Sequence, residues 1–254
     1  MARLITRRNL IASIAAGGSS IALSACTGPT YNPTFQDTVL SAGDWLAYRI
    51  QRLIGGNALA PEFSESEMSP VFRTNGNTDP DSSDYKKLAA GNFSDWQLRV
   101  DGLVSTPASY SLAQLRAMPS RSQITRHDCV EGWSAIGKWT GVQLGYLLKQ
   151  VGLQPNARFV VFHCADRFDE TPYYESVDLV DAFHPQTLLA YAMNDEPLST
   201  GHGAPLRLRV ERQLGYKHAK YIMRIEAVAV LSGIGGGRGG FWEDEGDYDW
   251  YAGI

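Results

Sequence analysis

Cysteine is scarce in this sequence. The 254 residues contain three cysteines, Cys26, Cys129 and Cys164. Three are too few for the framework of several disulfides that holds small secreted domains together. One disulfide between Cys129 and Cys164 remains an alternative. The polar, glycine- and tryptophan-rich surroundings of Cys129 favour a chemical role for its thiol instead.

An excess of positive charge is also missing. Lysine and arginine number 23 against 27 aspartates and glutamates, which gives a formal net charge of −4. This balance does not favour binding to nucleic acid or to an anionic membrane, so no nucleic-acid partner is predicted. With 44% hydrophobic and 20% charged residues the composition is that of a globular protein. The length suits one large domain or two small ones.

No hydrophobic run is long enough to cross a bilayer. The stretch Leu10–Leu23 is short and weakly apolar, whereas the hydrocarbon core of a membrane is about 30 Å thick. It follows Arg7 and Arg8, so residues 1–25 are predicted to be a twin-arginine signal peptide. That export route carries folded proteins, commonly ones that load a complex cofactor in the cytoplasm. A periplasmic protein with a redox cofactor is therefore predicted.

The end of this leader also predicts an anchor. Leu23-Ser24-Ala25-Cys26 resembles a bacterial lipobox, in which Cys26 is lipidated after cleavage. The alternative is ordinary cleavage near Ala25 that leaves Cys26 unmodified. The rest of the chain is predicted to contain a tether at 26–40, a main domain at 41–240 and an aromatic, acidic tail at 241–254. A glycine-rich linker at 233–240 precedes that tail.

Hydrophobic periodicity indicates more strands than helices, without the regular alternation of a doubly wound sheet. The fold class is therefore predicted to be α+β with much β structure. Helices are predicted at 41–55, 111–118 and 144–151. Strands are predicted at 95–102, 158–163, 206–210 and 222–231, and an apolar run at 187–193 is followed by a turn at 194–195. The strand at 206–210 alternates leucine with arginine and is expected to be half-buried.

The stretch Arg126–Gly141 organises the candidate site. Glycines and tryptophans crowd it, which predicts a tight loop in place of a regular helix or strand. Cys129 lies among charged neighbours there and is predicted to be a thiolate ligand of a metal-bearing cofactor. Trp133 and Trp139 are expected to pack in the core. Arg126 and His127 either line an anion pocket or lie at the surface or behind the ligands; the sequence leaves both alternatives open.

Two further segments share this character. One is Phe72–Gly76, in a region without periodicity. The other runs from Gly201 to Arg207 and is followed by Leu214–Lys220. Small residues beside histidine and arginine let the backbone approach a large ligand while cationic groups meet its anionic end. A phosphate-bearing cofactor with a metal would use all of these segments.

The order and spacing of these motifs resemble a known family. Cys-Val-Glu-Gly-Trp at 129–133, Leu-Leu-Ala-Tyr-Ala-Met-Asn-Asp-Glu-Pro-Leu at 188–198 and His-Gly-Ala-Pro-Leu-Arg-Leu at 202–208 look like the molybdopterin domain of the sulfite oxidase family. The resemblance extends from about Phe72 to Glu226. It implies the sulfite-oxidase-type fold, with β-rich mixed sheets and peripheral helices.

The resemblance also implies a cofactor and its ligands. One molybdenum per chain would be held by the dithiolene of one pyranopterin and by the thiolate of Cys129, since soft sulfur ligands suit such a metal. Other cofactor-binding residues follow by position: Phe72, Arg73, Asn75, Cys164, Asp166, His202, Arg207, His218, Ala219 and Lys220. In the pair Cys164 and Asp166 the register leaves open which residue makes the contact.

The chemistry implied by the family is oxygen-atom transfer to or from a small oxyanion or a sulfoxide-type substrate while molybdenum cycles between Mo(VI) and Mo(IV). Electrons would come from or go to a separate partner, such as a c-type cytochrome or a haem-bearing membrane subunit. The sequence has no Cys-x-x-Cys-His haem motif of its own.

Departures from the family keep alternatives open. Thr74 occupies a position where sulfite oxidases have arginine, and their immunoglobulin-like dimerisation domain has no counterpart here, so a monomer is expected. Related periplasmic methionine-sulfoxide reductase subunits share the domain and the export signal, and they provide the first alternative. The others are a cysteine-dependent hydrolase that uses Cys129 with His127 or His202, and a non-catalytic lipoprotein.

Overall fold

The computed structural model describes residues 41–55 and 58–254. The predicted leader, the lipidation site Cys26 and the tether lie outside the described residues. The chain divides into two compact units, one ending at Ile54 and one extending from Gly55 to Ile254.

The described part of the first unit is one helix, α1, at Ser41–Gly55, as the periodicity predicted. Its large apolar side chains Leu46, Ile50 and Leu53 are exposed. The guanidinium of Arg49 lies 5.3 Å from the centre of the Trp45 ring. Across 41–55 and 58–254, no helix combines the length and the apolar character needed to cross a membrane.

The second unit contains two five-stranded sheets. The first sheet has the order β2-β1-β10-β5-β6. Only β1 and β10 pair in parallel in this sheet. Its strands are β1 at Gln97–Gly102, β2 at Ala108–Ser111, β5 at Phe159–Phe168, β6 at Thr171–Asp178 and β10 at Ile222–Val228.

The second sheet is antiparallel throughout. Its order is β3-β4-β7-β8, and β9 also pairs with β7. Its strands are β3 at Ser120–Asp128, β4 at Ser134–Gln143, β7 at Leu188–Met193, β8 at Glu196–Pro197 and β9 at Arg207–Arg209. Mixed sheets with few helices confirm the α+β class.

The helices of this unit are short and lie between strands. They are α2 at Ser83–Ala90, α3 at Leu112–Ala117, α4 at Leu144–Val151, α5 at Leu179–Ala182 and α6 at Phe241–Glu245. Ser111 caps α3 in a reciprocal capping box with Gln114. Gly152 ends α4 with a φ of +66°, a conformation that glycine adopts without strain.

One hydrophobic cluster contains buried residues of both sheets and of α4. Strand β1 contributes Leu98 and Val100, which alternate with the exposed Gln97 and Arg99 as the period of two predicted. A second cluster surrounds the fully buried Trp139 and includes Ala190 and Met193 of β7. Trp139 is thus a core residue, as predicted. The two clusters fix the sheets that carry the candidate site.

The prediction of a loop throughout Arg126–Gly141 is wrong. Most of this stretch forms the hairpin of β3 and β4, and only residues 129–133 form the turn. Glycine serves here to bring chains together: a Cβ at Gly141 would collide with the backbone of Leu189 on the neighbouring strand β7. Close strand pairing therefore explains a glycine that had indicated a loop.

Two further predictions need correction. The strand at 206–210 is buried on both faces, because Arg207 and Arg209 are buried together with its leucines. The segment Gly233–Gly240 is packed in place and is not an open linker: Ser176 Oγ donates a hydrogen bond to the carbonyl of Gly239. The tail that follows docks on the same unit, where Trp250 Nε1 donates to Ser176 Oγ at 2.8 Å.

Candidate functional site

The separate sequence motifs meet around one cleft. It is lined by the segment 72–77, the turn between β3 and β4, the end of β5, and the segments around 201–207 and 215–220. Nine of the predicted site residues line it: Phe72, Arg73, Asn75, Cys129, Asp166, His202, Arg207, His218 and Lys220.

Cys129 lies in the turn between β3 and β4. Its backbone N–H donates to the carbonyl of Trp133 at 2.9 Å, and its carbonyl accepts from Gly132 N at 3.0 Å. Its side chain is nearly buried, and Asn75 Nδ2 donates to Sγ at 3.2 Å. This hydrogen bond holds the sulfur of Cys129 in a fixed position at the cleft. The motif around Asn75 and the motif around Cys129 therefore form one arrangement.

Lys220 holds the Asn75 segment in place. Its Nζ donates to the carbonyls of Asn75 at 2.8 Å and Gly201 at 3.1 Å, and also to that of Asn77. Burial and the charge of Arg207 lower the pKa of Lys220 to about 7. The protein environment thus disfavours the charged form of Lys220. An anionic group of a ligand would stabilise that charge, so Lys220 is suited to bind one.

Arg207 lies beneath the cleft on β9. Its Nη1 donates to the carbonyl of His202 at 3.1 Å, and its guanidinium lies 4.9 Å from the centre of the Trp139 ring. Burial and the neighbouring Arg209 lower the pKa of Arg207 to about 9. His202 contacts the carbonyl of Phe72 through Nε2 at 3.2 Å. Arg207 thus holds His202, and His202 connects the segment 201–207 with the segment 72–76.

Cys164 and Ala219 do not line the cleft. A register shift between His163 and Arg167 in the pairing of β5 with β6 brings Asp166 to the cleft, and Cys164 Sγ lies 3.9 Å from the carbonyl of Phe162 instead. Both Cys129 and Cys164 are free thiols. Ala219 is buried, and its carbonyl accepts from Leu208 N at 2.8 Å.

Of the two positions left open for His127, the structure has it at the cleft and not at the surface. It is buried and lines the cleft, and its Nδ1 lies 3.0 Å from Nη1 of Arg209. Burial and the charge of Arg209 lower the pKa of His127 well below its ordinary value. On β3, His127 follows the buried Gln123 and Thr125 at every second position, and Cys129 comes next in the turn. These buried residues are polar, so no hydrophobic alternation marked them in the sequence.

Aromatic side chains form much of the remaining lining. Phe168, Tyr173 and Tyr216 were not predicted to be there, and Trp133 was expected in the core. Trp133 is half-buried at the cleft and packs edge-on against Phe72, with ring centres 6.4 Å apart. It therefore borders the cleft next to Cys129. The aromatic lining is contributed by elements far apart in the sequence, so no local pattern revealed it.

Comparison with known proteins identifies the family. Residues 86–232 match the model of the oxidoreductase molybdopterin binding domain. The chain belongs to this family. It is a molybdopterin-dependent oxidoreductase, and the resemblance to the sulfite oxidase type is confirmed.

Several named members are similar to this chain. A candidate subunit of protein-methionine-sulfoxide reductase, YedZ1 of Azospira oryzae, is 40% identical over 201 residues, which cover 79% of this chain and 70% of that protein. The MsrP catalytic subunit of Ralstonia nicotianae is 37% identical over 144 residues, or 52% of this chain and 44% of MsrP. MsrP of Xanthomonas axonopodis pv. citri is 38% identical over 163 residues, covering 59% of this chain and 51% of its own length. This chain thus spans about half the length of the MsrP relatives.

A solved structure supports the fold. The sulfane dehydrogenase SoxCD from Paracoccus pantotrophus superposes with a TM-score of 0.50 at 22% identity, covering 54% of this chain and 39% of that one. At this identity the likeness concerns the fold alone.

The side chains that line the cleft fit the family's cofactor. Three buried polar atoms at the cleft have no hydrogen-bond partner within the described chain: Nε of Arg207, Nδ1 of His218 and Oδ1 of Asp166. Such atoms require a partner from outside the protein, and a pterin edge presents both donors and acceptors. Residues 41–55 and 58–254 contain no cluster of three or more histidine, cysteine or carboxylate side chains around a metal position. This observation agrees with a metal that would be held by one cysteine thiolate and otherwise by sulfur atoms of the cofactor.

Asp166 predicts a pH dependence of stability. Burial raises the pKa of Asp166 from its ordinary 3.8 to about 7, and Lys220 opposes the shift. Between these values the folded protein binds a proton that the unfolded chain does not, so stability falls as the pH rises through the window. We expect wild type to lose about 2–3 kcal/mol relative to Asp166→Asn between pH 5 and pH 8. Urea unfolding of cofactor-free protein measures this difference.

The matched control is Asp84→Asn. The carboxylate of Asp84 is 87% exposed. The stability of Asp84→Asn should therefore change between pH 5 and pH 8 as that of wild type does. Equal pH dependence in Asp166→Asn and wild type would show that the carboxylate is not buried as described.

Proposed function

We propose that this protein reduces sulfoxides of the methionine type by oxygen-atom transfer at one molybdenum per chain. In this reaction two electrons and two protons convert R₂SO to R₂S and water. The apolar border of the cleft beside Cys129 carries the proposal: Val130 is 44% exposed and the Trp133 ring is half-buried. Rings and alkyl groups at this position suit the uncharged substituents of a thioether. The names of the relatives support the same substrate class.

The residues would divide the work as follows. Cys129 would hold the metal as a thiolate, and Asn75 would orient that sulfur through its 3.2 Å hydrogen bond. Arg207 and Lys220 would bind the anionic end of the cofactor, and Asp166 would meet its polar edge. When bound, the molybdenum cofactor supplies the two-electron chemistry that moves an oxygen atom.

A second candidate function is the oxidation of a sulfite-type oxyanion. The cationic lining favours it, because Arg73 lies exposed at the cleft near Lys220 and Arg207. An anionic substrate would bind such a surface more strongly than a neutral sulfoxide. Thr74, where sulfite oxidases have arginine, removes one cation from this surface.

Steady-state kinetics on the molybdenum-loaded protein separate the two functions. Reduction of free and peptide-bound methionine sulfoxide by a reduced viologen is compared with oxidation of sulfite by ferricyanide. We expect kcat/KM for the sulfoxides to exceed that for sulfite at least tenfold. The reverse order would replace the proposal with sulfite oxidation. Loaded protein without either activity, or protein that never takes up metal, would support the thiol-enzyme or the non-catalytic alternative.

We also propose that the protein works in the periplasm, exported by its twin-arginine signal and lipidated at Cys26. Electrons would come from a separate partner, either a haem-bearing membrane subunit or a c-type cytochrome. Two observations support a separate partner: the sequence has no haem attachment motif, and the relatives are named as subunits.

A further inference from the structure

The hydrogen bonding of His127 determines where its proton lies. Nδ1 is 3.0 Å from Nη1 of Arg209. A guanidinium carries only donors, so Nδ1 must be the acceptor of this bond. A neutral imidazole that accepts at Nδ1 carries its proton on Nε2. The structure therefore assigns His127 the Nε2–H tautomer.

Arg209 is itself fixed in this position. Its Nε and Nη2 donate to the two carboxylate oxygens of Glu211 at 2.9 and 2.5 Å. Gln123 Nε2 donates to the same carboxylate at 2.9 Å, and the guanidinium lies 4.4 Å from the centre of the Trp139 ring. Arg209 and Glu211 are both fully buried as side chains. A bidentate buried pair of this kind has little freedom, so the tautomer of His127 is held rigidly.

The other ring nitrogen of His127, Nε2, lies next to Gly215, and both residues line the cleft. A Cβ at position 215 would lie 2.5 Å from Nε2 of His127, so Gly215 leaves the space that this nitrogen requires. Within the described chain no hydrogen-bond acceptor is paired with Nε2. The ring of His218 stands nearly perpendicular to that of His127, with centres 5.0 Å apart. His218 directs Nε2 to the carbonyl of Gln213 at 3.0 Å.

We propose that His127 is a fixed, neutral hydrogen-bond donor that binds the oxygen of the substrate beside Cys129. This inference deepens the proposed function and rests on it for the identity of the substrate. A sulfoxide oxygen accepts hydrogen bonds strongly, and an uncharged donor binds it without requiring a counter-charge. A donor positioned before the substrate arrives needs no reorganisation during the reaction. The cations of the cleft remain available for the cofactor.

The tautomer is tested without turnover. Nitrogen-15 NMR of the imidazole groups in the full-length protein distinguishes protonated from unprotonated ring nitrogens, and His127→Gln identifies the His127 signals. We expect Nδ1 to be unprotonated and Nε2 to be protonated at neutral pH. Protonation at Nδ1, or at both nitrogens, would overturn the proposal whatever the substrate is.

Two substitutions test the role of the donor. The amide nitrogen of His127→Gln can lie near the position of Nε2, whereas that of His127→Asn lies near Nδ1. We expect kcat/KM for methionine sulfoxide to fall about 10- to 100-fold in His127→Asn and to stay within about threefold of wild type in His127→Gln. Circular dichroism and molybdenum content verify that both variants fold and load. An equal loss in both variants would overturn the role of a donor at Nε2.

A non-reducible analogue separates this inference from the proposed function. On adding dimethyl sulfone to the loaded protein, the nitrogen-15 signal of His127 Nε2 should shift with saturation. A shift without sulfoxide turnover would contradict the proposed reaction and retain the oxygen-binding role of His127. Sulfoxide turnover with an unshifted His127 signal would support the proposed reaction and contradict the oxygen-binding role of His127.

Discussion

Replacing Cys129 with serine is expected to reduce sulfoxide turnover at least about 100-fold. Loss of residues that merely orient a metal ligand costs 10- to 100-fold, so loss of the ligand itself should cost more. A serine oxygen is a harder ligand than a thiolate, which makes it a poor replacement for soft sulfur. Steady-state kinetics together with molybdenum content and X-ray absorption at the metal measure the effect. One sulfur fewer around the metal is the expected spectroscopic result.

Cys164→Ser provides the matched control. This second free thiol lies outside the cleft lining, so turnover and the metal spectrum should remain those of wild type. If Cys129→Ser retained full turnover and an unchanged metal spectrum, Cys129 would not be the ligand. If the wild-type protein contained no metal but lost activity on alkylation of Cys129, the thiol-enzyme alternative would be correct.

Asn75, Cys129, His202 and Lys220 could be predicted to form one site because each belongs to a short, contiguous motif. The motif fixes residue types at fixed spacing, and spacing is visible in a sequence. Arg209 and Glu211 escaped notice because their role depends on a contact with His127, 82 positions away from Arg209. In the strand at 206–210, the alternation of leucine with arginine indicated that the arginine face is exposed. Tertiary packing buries Arg207 and Arg209 on that face, and no local pattern encodes this packing.

The fold was predictable to a similar degree. Amphipathic helices with clear ends, such as Leu144–Val151 followed by Gly152, were correct because their caps and periodicity agree. The hairpin of β3 and β4 was missed because a glycine in a sequence can have either of two structural roles. A glycine can permit a turn, or it can permit close approach of a neighbouring strand as Gly141 does next to Leu189. The sequence does not distinguish these two roles when the neighbouring strand comes from a distant part of the chain.

A second buried charged group lies behind the cleft and was not predicted. Lys217 Nζ donates to Glu175 of β6 at 2.6 Å and to Glu243 of α6 at 2.5 Å, and all three side chains are essentially fully buried. Burial opposes the charge on Lys217, but the two carboxylates outweigh it and raise the pKa of the ammonium. Burial raises the pKa of Glu175 well above its ordinary value. One ammonium thus holds two carboxyl groups together.

Lys217→Met is expected to destabilise the protein by about 3–5 kcal/mol, because it leaves two buried carboxyl groups without a cation. The loss should be larger at pH 8 than at pH 5: burial has already raised the pKa of Glu175, and proton uptake can relieve the repulsion only at the lower pH. Urea unfolding at both pH values measures it.

Lys138→Met is the control for this substitution. Lys138 also bridges two carboxylates, Glu65 at 3.1 Å and Asp195 at 2.9 Å, but both acids are largely exposed. Water can solvate them when the cation is lost, so the cost should stay within about 1 kcal/mol. Similar losses in the two variants would show that burial is not what makes Lys217 important. Because Lys217 lies between Tyr216 and His218, which line the cleft, its loss should also lower the molybdenum content, whereas Lys138→Met should leave it unchanged.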